Sequence, residues 1–129
     1  MKHVLILAVI GVFAIVGCSQ KKVDAEKLKA ANALIESGKY EEGLGQLDEM
    51  AKDNPEDVAL KQSRITGHLK FATYYMYNDT LPPKAKYPNA LKQYRAVLKI
   101  DPNNENAKGN ADMIINIYHS MGREVPEDN

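Results

Sequence analysis

Few side chains in this sequence combine a reactive type with a spacing that chemistry could use, and Cys18 comes first among them. It is the only cysteine, so an intrachain disulfide and a multi-cysteine metal site are both excluded. A lone thiol can still act as a nucleophile toward an alkylating or acylating group. His68 and His119 are the histidines that follow it. They fall in separate apolar-periodic segments without clustered acidic residues beside them, and both read as helix-surface or packing residues. Asp101, Asn103 and Glu105 alternate like the opening of a calcium loop, but the required glycine and closing bidentate glutamate are missing. Gly43-Leu44-Gly45 is too short for a phosphate loop and lies inside a helical pattern. No zinc-protease helix motif, nucleotide fingerprint or nucleophile elbow occurs. The pattern predicts no catalytic residue, no cofactor and no metal site, hence not an enzyme.

Bulk properties narrow the field further. A chain of 129 residues allows one domain. Basic and acidic residues balance at 17 each, and Lys2 is the one charge before Cys18 in that tally. Such a balance gives no field to attract nucleic acid or an anionic membrane surface. With no tryptophan, six prolines and plentiful Ala, Leu, Lys and Glu, the composition leans helical.

The residues before Cys18 explain its place. MKHVLILAVIGVFAIVGC has a basic start at Lys2 and an uncharged apolar run of 13 residues from Val4 to Val16. A membrane-spanning helix needs about 20, so the run reads as a signal-peptide core. The chain turns polar directly afterwards at Ser19, Gln20, Lys21 and Lys22. Ile15-Val16-Gly17-Cys18 resembles the bacterial lipobox. That resemblance implies a diacylglyceryl group on the Cys18 thiol, removal of residues 1–17, and frequent acylation of the new amino group. Each buried lipid CH₂ contributes about 0.8 kcal/mol, and lasting attachment takes more than one chain. Ser19, rather than Asp, implies transport to the outer membrane in enterobacteria-like cells, with the protein on its periplasmic face. The competing reading is a chance cysteine closing an uncleaved anchor. Residues 18–22 form a short linker, and 23–129 a helical domain.

That domain contains a repeat. GKYEEGLGQLDEMAKDNPED (38–57) aligns with AKYPNALKQYRAVLKIDPNN (85–104) at one offset of 47 residues. Lys39 matches Lys86, Tyr40 matches Tyr87, Gly43 matches Ala90, Leu44 matches Leu91, and Pro55 matches Pro102. Apolar residues recur at helical spacing in each stretch: Leu44, Leu47 and Ala51, then Leu91, Tyr94 and Leu98. A proline ends each pattern. Residues 23–37 give an earlier helix through Leu28, Ala31, Leu34 and Ile35, broken at Ser37-Gly38. A longer helix is expected over about 57–77, with an insertion over about 74–86. Its loop, NDTLPPKAKYP, is expected to exclude helix through 78–85. A last helix over about 104–121 carries Ala107, Ala111, Ile114, Ile115 and Tyr118.

Helix, glycine turn, tyrosine, small residue and Pro-Asx turn together resemble the tetratricopeptide repeat, a unit of 34 residues. Asp24 to Asp57 resembles one such unit, with Ala31 and Gly43 at the positions of close helix contact and Pro55 at the closing proline. Met50 departs from the family's usual alanine. In the second unit Tyr87, Ala90, Tyr94 and Pro102 match, while the opening half does not, and either Ile65 or Gly67 could be its close-contact residue. The resemblance implies an all-α superhelix of about five helices and about two and a half repeats, capped by the last helix. It also implies a concave face that binds a protein or peptide, lined by Lys29, Asn32 and Glu36 and then by Gln62, Thr66 and Lys70. Leu28 stands one turn before Asn32, so the family's carboxylate clamp is not expected.

A second candidate surface is the aromatic run Phe71, Tyr74, Tyr75 and Tyr77. Four aromatics in seven residues cannot share one helix face. Either some are exposed for a partner, a use to which tyrosine is suited, or the following loop folds back over them. The expected role is a membrane-anchored periplasmic adaptor. Its rivals are an assembly factor for outer-membrane, secretin or pilus machinery, and a small envelope enzyme or solute-binding protein. The terminal helix could also pair two copies of the chain.

Overall fold

A computed structural model describes residues 22–128. The signal, the lipobox and Cys18 lie outside the described residues. Within them the chain is all-helical: α1 Ala25–Glu36, α2 Tyr40–Asp53, α3 Val58–Tyr77, α4 Pro83–Ile100 and α5 Glu105–Ser120. No strand occurs among the described residues.

Each boundary has a local cause. The Asp24 carboxylate caps α1, accepting from the Glu26 and Lys27 amides at 3.0 and 3.2 Å. Asp57 caps α3 through the Leu60 amide at 2.9 Å, and Asn104 caps α5 through the Ala107 amide at 3.0 Å. α1 and α5 end alike. Gly38 and Gly122 take φ of +83° and +64°, and the next residue's amide reaches back five positions, Lys39 to Leu34 and Arg123 to Tyr118. This closure needs a left-handed residue, which glycine supplies without strain.

The expected loop is shorter than its prolines suggested. Only 78–82 is non-helical, because Pro82 caps α4 and Pro83 is its first residue, where a missing N–H costs nothing. Pro88 lies inside α4 and has no N–H to give the Lys84 carbonyl. The Asn89 side-chain amide donates to the neighbouring Ala85 carbonyl at 2.8 Å. The residues added between the two closing halves therefore went into longer helices rather than a loop. At about 1.5 Å per residue, α3 is roughly 30 Å long.

Sequential helices pack in pairs, and α1 also lies against α3. Two apolar clusters result. Ala31, Ile35, Leu44, Leu47, Leu60 and Phe71 form one, across α1, α2 and α3. Ala72, Ala90, Leu91, Tyr94, Val97, Ala107, Ala111 and Ile114 form the other, across α3, α4 and α5. The half-buried Tyr75 packs against both. Small residues let the backbones approach. A Cβ on Gly43 would sit 2.6 Å from Ile35 Cγ1 and 2.8 Å from the Ala31 carbonyl oxygen. Gly67, rather than Ile65, is the tightly approached residue of α3, and its neighbours are Ile35 and Leu44 of the preceding hairpin. Met50 fills its place as a half-buried side chain against the first cluster.

Candidate functional site

The rows expected to line a binding face, one on α1 and one on α3, lie beside each other. Asn32 Nδ2 donates to Ser63 Oγ at 3.0 Å. Lys70 Nζ donates to both Glu36 carboxylate oxygens at 2.5 and 2.6 Å. Gln62 Nε2 donates to Thr66 Oγ1 at 3.4 Å. Lys29 is exposed on the same helix as Asn32 and Glu36. The Glu36–Lys70 pair is largely solvated, so its net contribution is of the order of 0–1 kcal/mol and a ligand could displace it at small cost.

The aromatic residues gather where α3 ends and α2 begins. Tyr40 stacks on Phe71 with ring centroids 4.9 Å apart and 17° between planes. Tyr74 lies 5.7 Å from Tyr40 and 5.5 Å from Tyr75, and Tyr75 lies 4.7 Å from Phe71. Offset and tilted pairs of this kind add about 0.5–1.5 kcal/mol each beyond their burial. Phe71 is buried with Tyr40, Tyr74 and Tyr75 against it, whereas the alternative in which the following loop buries the aromatics does not hold for Tyr74 and Tyr77. Tyr74 remains 44% exposed and Tyr77 77% exposed.

Two open hollows flank the Tyr40–Tyr74 pair. One, of about 680 Å³, is a mainly apolar groove lined by Thr66, Leu69, Lys70, Thr73, Tyr77 and Asn78 as well as the pair. The other, of about 470 Å³, adds Gly38, Lys39, Glu41, Glu42, Phe71 and Tyr75. Burial, then the Glu41 charge, push the Tyr75 hydroxyl above its ordinary range. Thr66, Lys70, Tyr74 and Tyr77 thus meet in one groove as candidates, whereas Lys29, Asn32 and Gln62 do not line it. Sequence reasoning missed Tyr40, read only as a repeat position matching Tyr87. The signal was its position directly after the Gly38 turn, which returns it against the end of α3.

The remaining candidates have structural roles. His68 is half-buried, its Nδ1 2.8 Å from Gln93 Oε1, and burial holds its pKa below the ordinary value. Asp101 Oδ1 accepts from the Asn103 amide at 3.1 Å in the turn before α5. No group of three or more metal-ligating side chains occurs among the described residues. No helix among them is long and apolar enough to cross a membrane. The outward side of α5, expected to serve a second copy, exposes Met113 beside Gly109, Asn116 and Ser120. No family model matches the chain, and neither do the curated proteins nor the solved structures compared with it.

Proposed function

We propose that this chain is a non-enzymatic adaptor of tetratricopeptide type, held by a lipid on Cys18 at the periplasmic face of a bacterial membrane. Ser19 favours the outer membrane. Partner binding is assigned to the α1–α3 side and the aromatic groove at its end. Helix pairs in chain order, the 47-residue offset between α2 and α4, and the close approach at Gly43 support the repeat reading. The lipobox-like residues support the anchor.

The observation that carries the binding role is the exposure of Tyr74, packed on the Tyr40–Phe71 stack, with the exposed Tyr77 lining the same groove. Large rings held rigid by neighbours and left open to water are the residues that dominate protein interfaces. A photocrosslinker at Tyr77 in native cells is expected to give discrete protein adducts that a probe at Lys108 does not. Absence of such adducts from a folded, membrane-located protein would sink the role. Labelled palmitate should enter the wild type and be lost in Cys18→Ala; retention of label in the variant would refute the anchor.

A further inference from the structure

The ion pairs around the aromatic floor leave one charge over. Lys70 is taken by Glu36, and Lys39 stands 4.0 Å from Glu42. Glu41 lines the same hollow as Tyr40, Tyr74 and Tyr75 and has no ion-pair partner among the described residues. The hollow therefore carries a net negative charge. The helix dipoles do not alter that sign: α3 ends here with no basic residue in its last turn, while the first turn of α2 brings its positive end to the same hollow, and the two oppose each other. The ring faces of exposed tyrosines add a second attraction for cations. Beside this hollow, across the Tyr40–Tyr74 pair, lies the apolar groove of Leu69 and Tyr77.

We propose that this end of the α2–α3 pair takes an extended protein segment carrying a basic residue next to an apolar one. The basic side chain, arginine by preference, lies on Tyr40 and Tyr74 with its guanidinium toward Glu41. Its apolar neighbour enters the groove of Leu69, Thr73 and Tyr77. Arginine fits better than lysine because its planar head can stack on a ring and meet a carboxylate with two donors at once. The proposal rests on the adaptor reading and adds the chemistry of the partner. A lipid headgroup suits the place less well. α1 starts beside Met50 and Asn54 and ends at the aromatic floor, so about 18 Å of helix separates this hollow from the end nearest the anchor.

The test uses the full chain in a nonionic detergent and observes its tyrosine ring signals by NMR. Three peptides serve as probes: acetyl-Gly-Arg-Leu-Arg-Gly-amide, the same peptide with citrulline for arginine, and the same with glutamate. The arginine peptide is expected to move the Tyr40 and Tyr74 signals and leave Tyr118 unmoved. Glu41→Gln and Tyr74→Leu should each weaken it about two- to fivefold, and added salt should weaken it further. Glu41 is exposed and outside the ring contacts, so Glu41→Gln keeps the fold and carries the test. Tyr74→Leu gives up ring contacts with Tyr40, Phe71 and Tyr75, so its binding is read together with its circular dichroism and melting curve. Equal binding of the citrulline peptide, or no effect of Glu41→Gln, overturns the charge preference while leaving the groove as a binding surface. Crosslinking at Tyr77 without any arginine-peptide shift also overturns it and leaves the adaptor role standing. Failure of both crosslinking and every peptide removes both.

Discussion

Replacing Gly43 with alanine places a methyl carbon 2.6 Å from Ile35 Cγ1, 2.8 Å from the Ala31 carbonyl oxygen and 3.1 Å from the Ile35 amide nitrogen. The last two atoms are backbone of α1 and cannot rotate away. Helices α1 and α2 must therefore move apart, which loosens Leu44 and Leu47 in the first cluster. Overpacking of this kind costs about 1–3 kcal/mol, while alanine's advantage over glycine inside a helix gives back up to about 1 kcal/mol. Gly45, two residues on in the same helix, isolates the second effect, since nothing lies within 4 Å of its added Cβ. Gly45→Ala should stabilise by about 0.5–1 kcal/mol. The two variants should then differ by roughly 1–3 kcal/mol, and at about 4 °C or more per kcal/mol their melting temperatures should separate clearly. Gly67→Ala should fall between them. Its close neighbours are Ile35 Cδ1 and Leu44 Cδ2, both at 2.8 Å, and both are ends of side chains that can turn. Urea and thermal unfolding followed by helical circular dichroism measure all three. A Gly43→Ala protein as stable as Gly45→Ala would mean that α1 and α2 do not meet at Gly43, and the packing of the first hairpin would be wrong.

Three further predictions concern stability. Burial lowers the His68 pKa from 6.5, so the unfolded chain binds a proton that the folded chain resists; stability should fall as pH drops below about 6.5 and level off once the folded form also titrates. His68→Gln should flatten that slope in denaturant titrations between pH 7.5 and 5, and an unchanged slope would refute the assignment. Pro88→Ala should stabilise by about 1–3 kcal/mol, because it restores a donor to the Lys84 carbonyl and relieves ring crowding in α4; a lowered melting temperature would show instead that the half-buried ring is needed for packing. Burial alone would raise the Asp128 pKa, but hydrogen bonds from Arg95 and Lys99 outweigh it and hold it below 3.8, so this contribution is present above pH 4 and is lost as pH falls through the folded value. Asp128→Asn should free the tail near Val125 to exchange its amide hydrogens faster, with a global cost below about 1 kcal/mol; unchanged exchange would refute the tether.

Much of the fold was legible because the elements carry their signals locally. Asp24, Asp57 and Asn104 each precede a helix as cap residues, and Gly38 and Gly122 each follow one. The 3.6-residue spacing of Leu44, Leu47, Ala107, Ala111 and Ile114 named buried faces correctly. The 78–88 segment was less legible, since a proline reads alike as a breaker or a first residue, and only the chain geometry before Pro83 decides between them. The site was legible in part. Thr66 and Lys70 could be named through the repeat resemblance and Tyr74 and Tyr77 from the aromatic run, but Tyr40 could not be joined to them. The end of α3 was legible from the Asn78-Asp79 and Pro82-Pro83 stop signals, but the stacking of Tyr40 on Phe71 is a contact between separate helices that no local rule shows.

The direction of the first hairpin bears on how the proposed anchor would stand to the groove. α1 begins at Ala25, and the residues from Ser19 to Asp24 could span at most about 20 Å when extended. With lipid on Cys18, the Asp24, Met50 and Asn54 end of the hairpin would stay near the membrane. Tyr40, Tyr74 and Tyr77 stand at the other end, about 18 Å farther along α1. On the adaptor proposal, a groove so placed would meet segments of a protein partner more readily than the bilayer. It is also shallow, and a single short segment on a shallow surface binds weakly. Tethering offsets that weakness, because a partner held at the same membrane faces a high effective concentration and needs few contacts to stay bound. Release from the membrane in Cys18→Ala should therefore reduce crosslinking at Tyr77 even though the groove itself is unchanged. Equal crosslinking by the released protein would mean that the groove binds tightly on its own and that the anchor serves some other end.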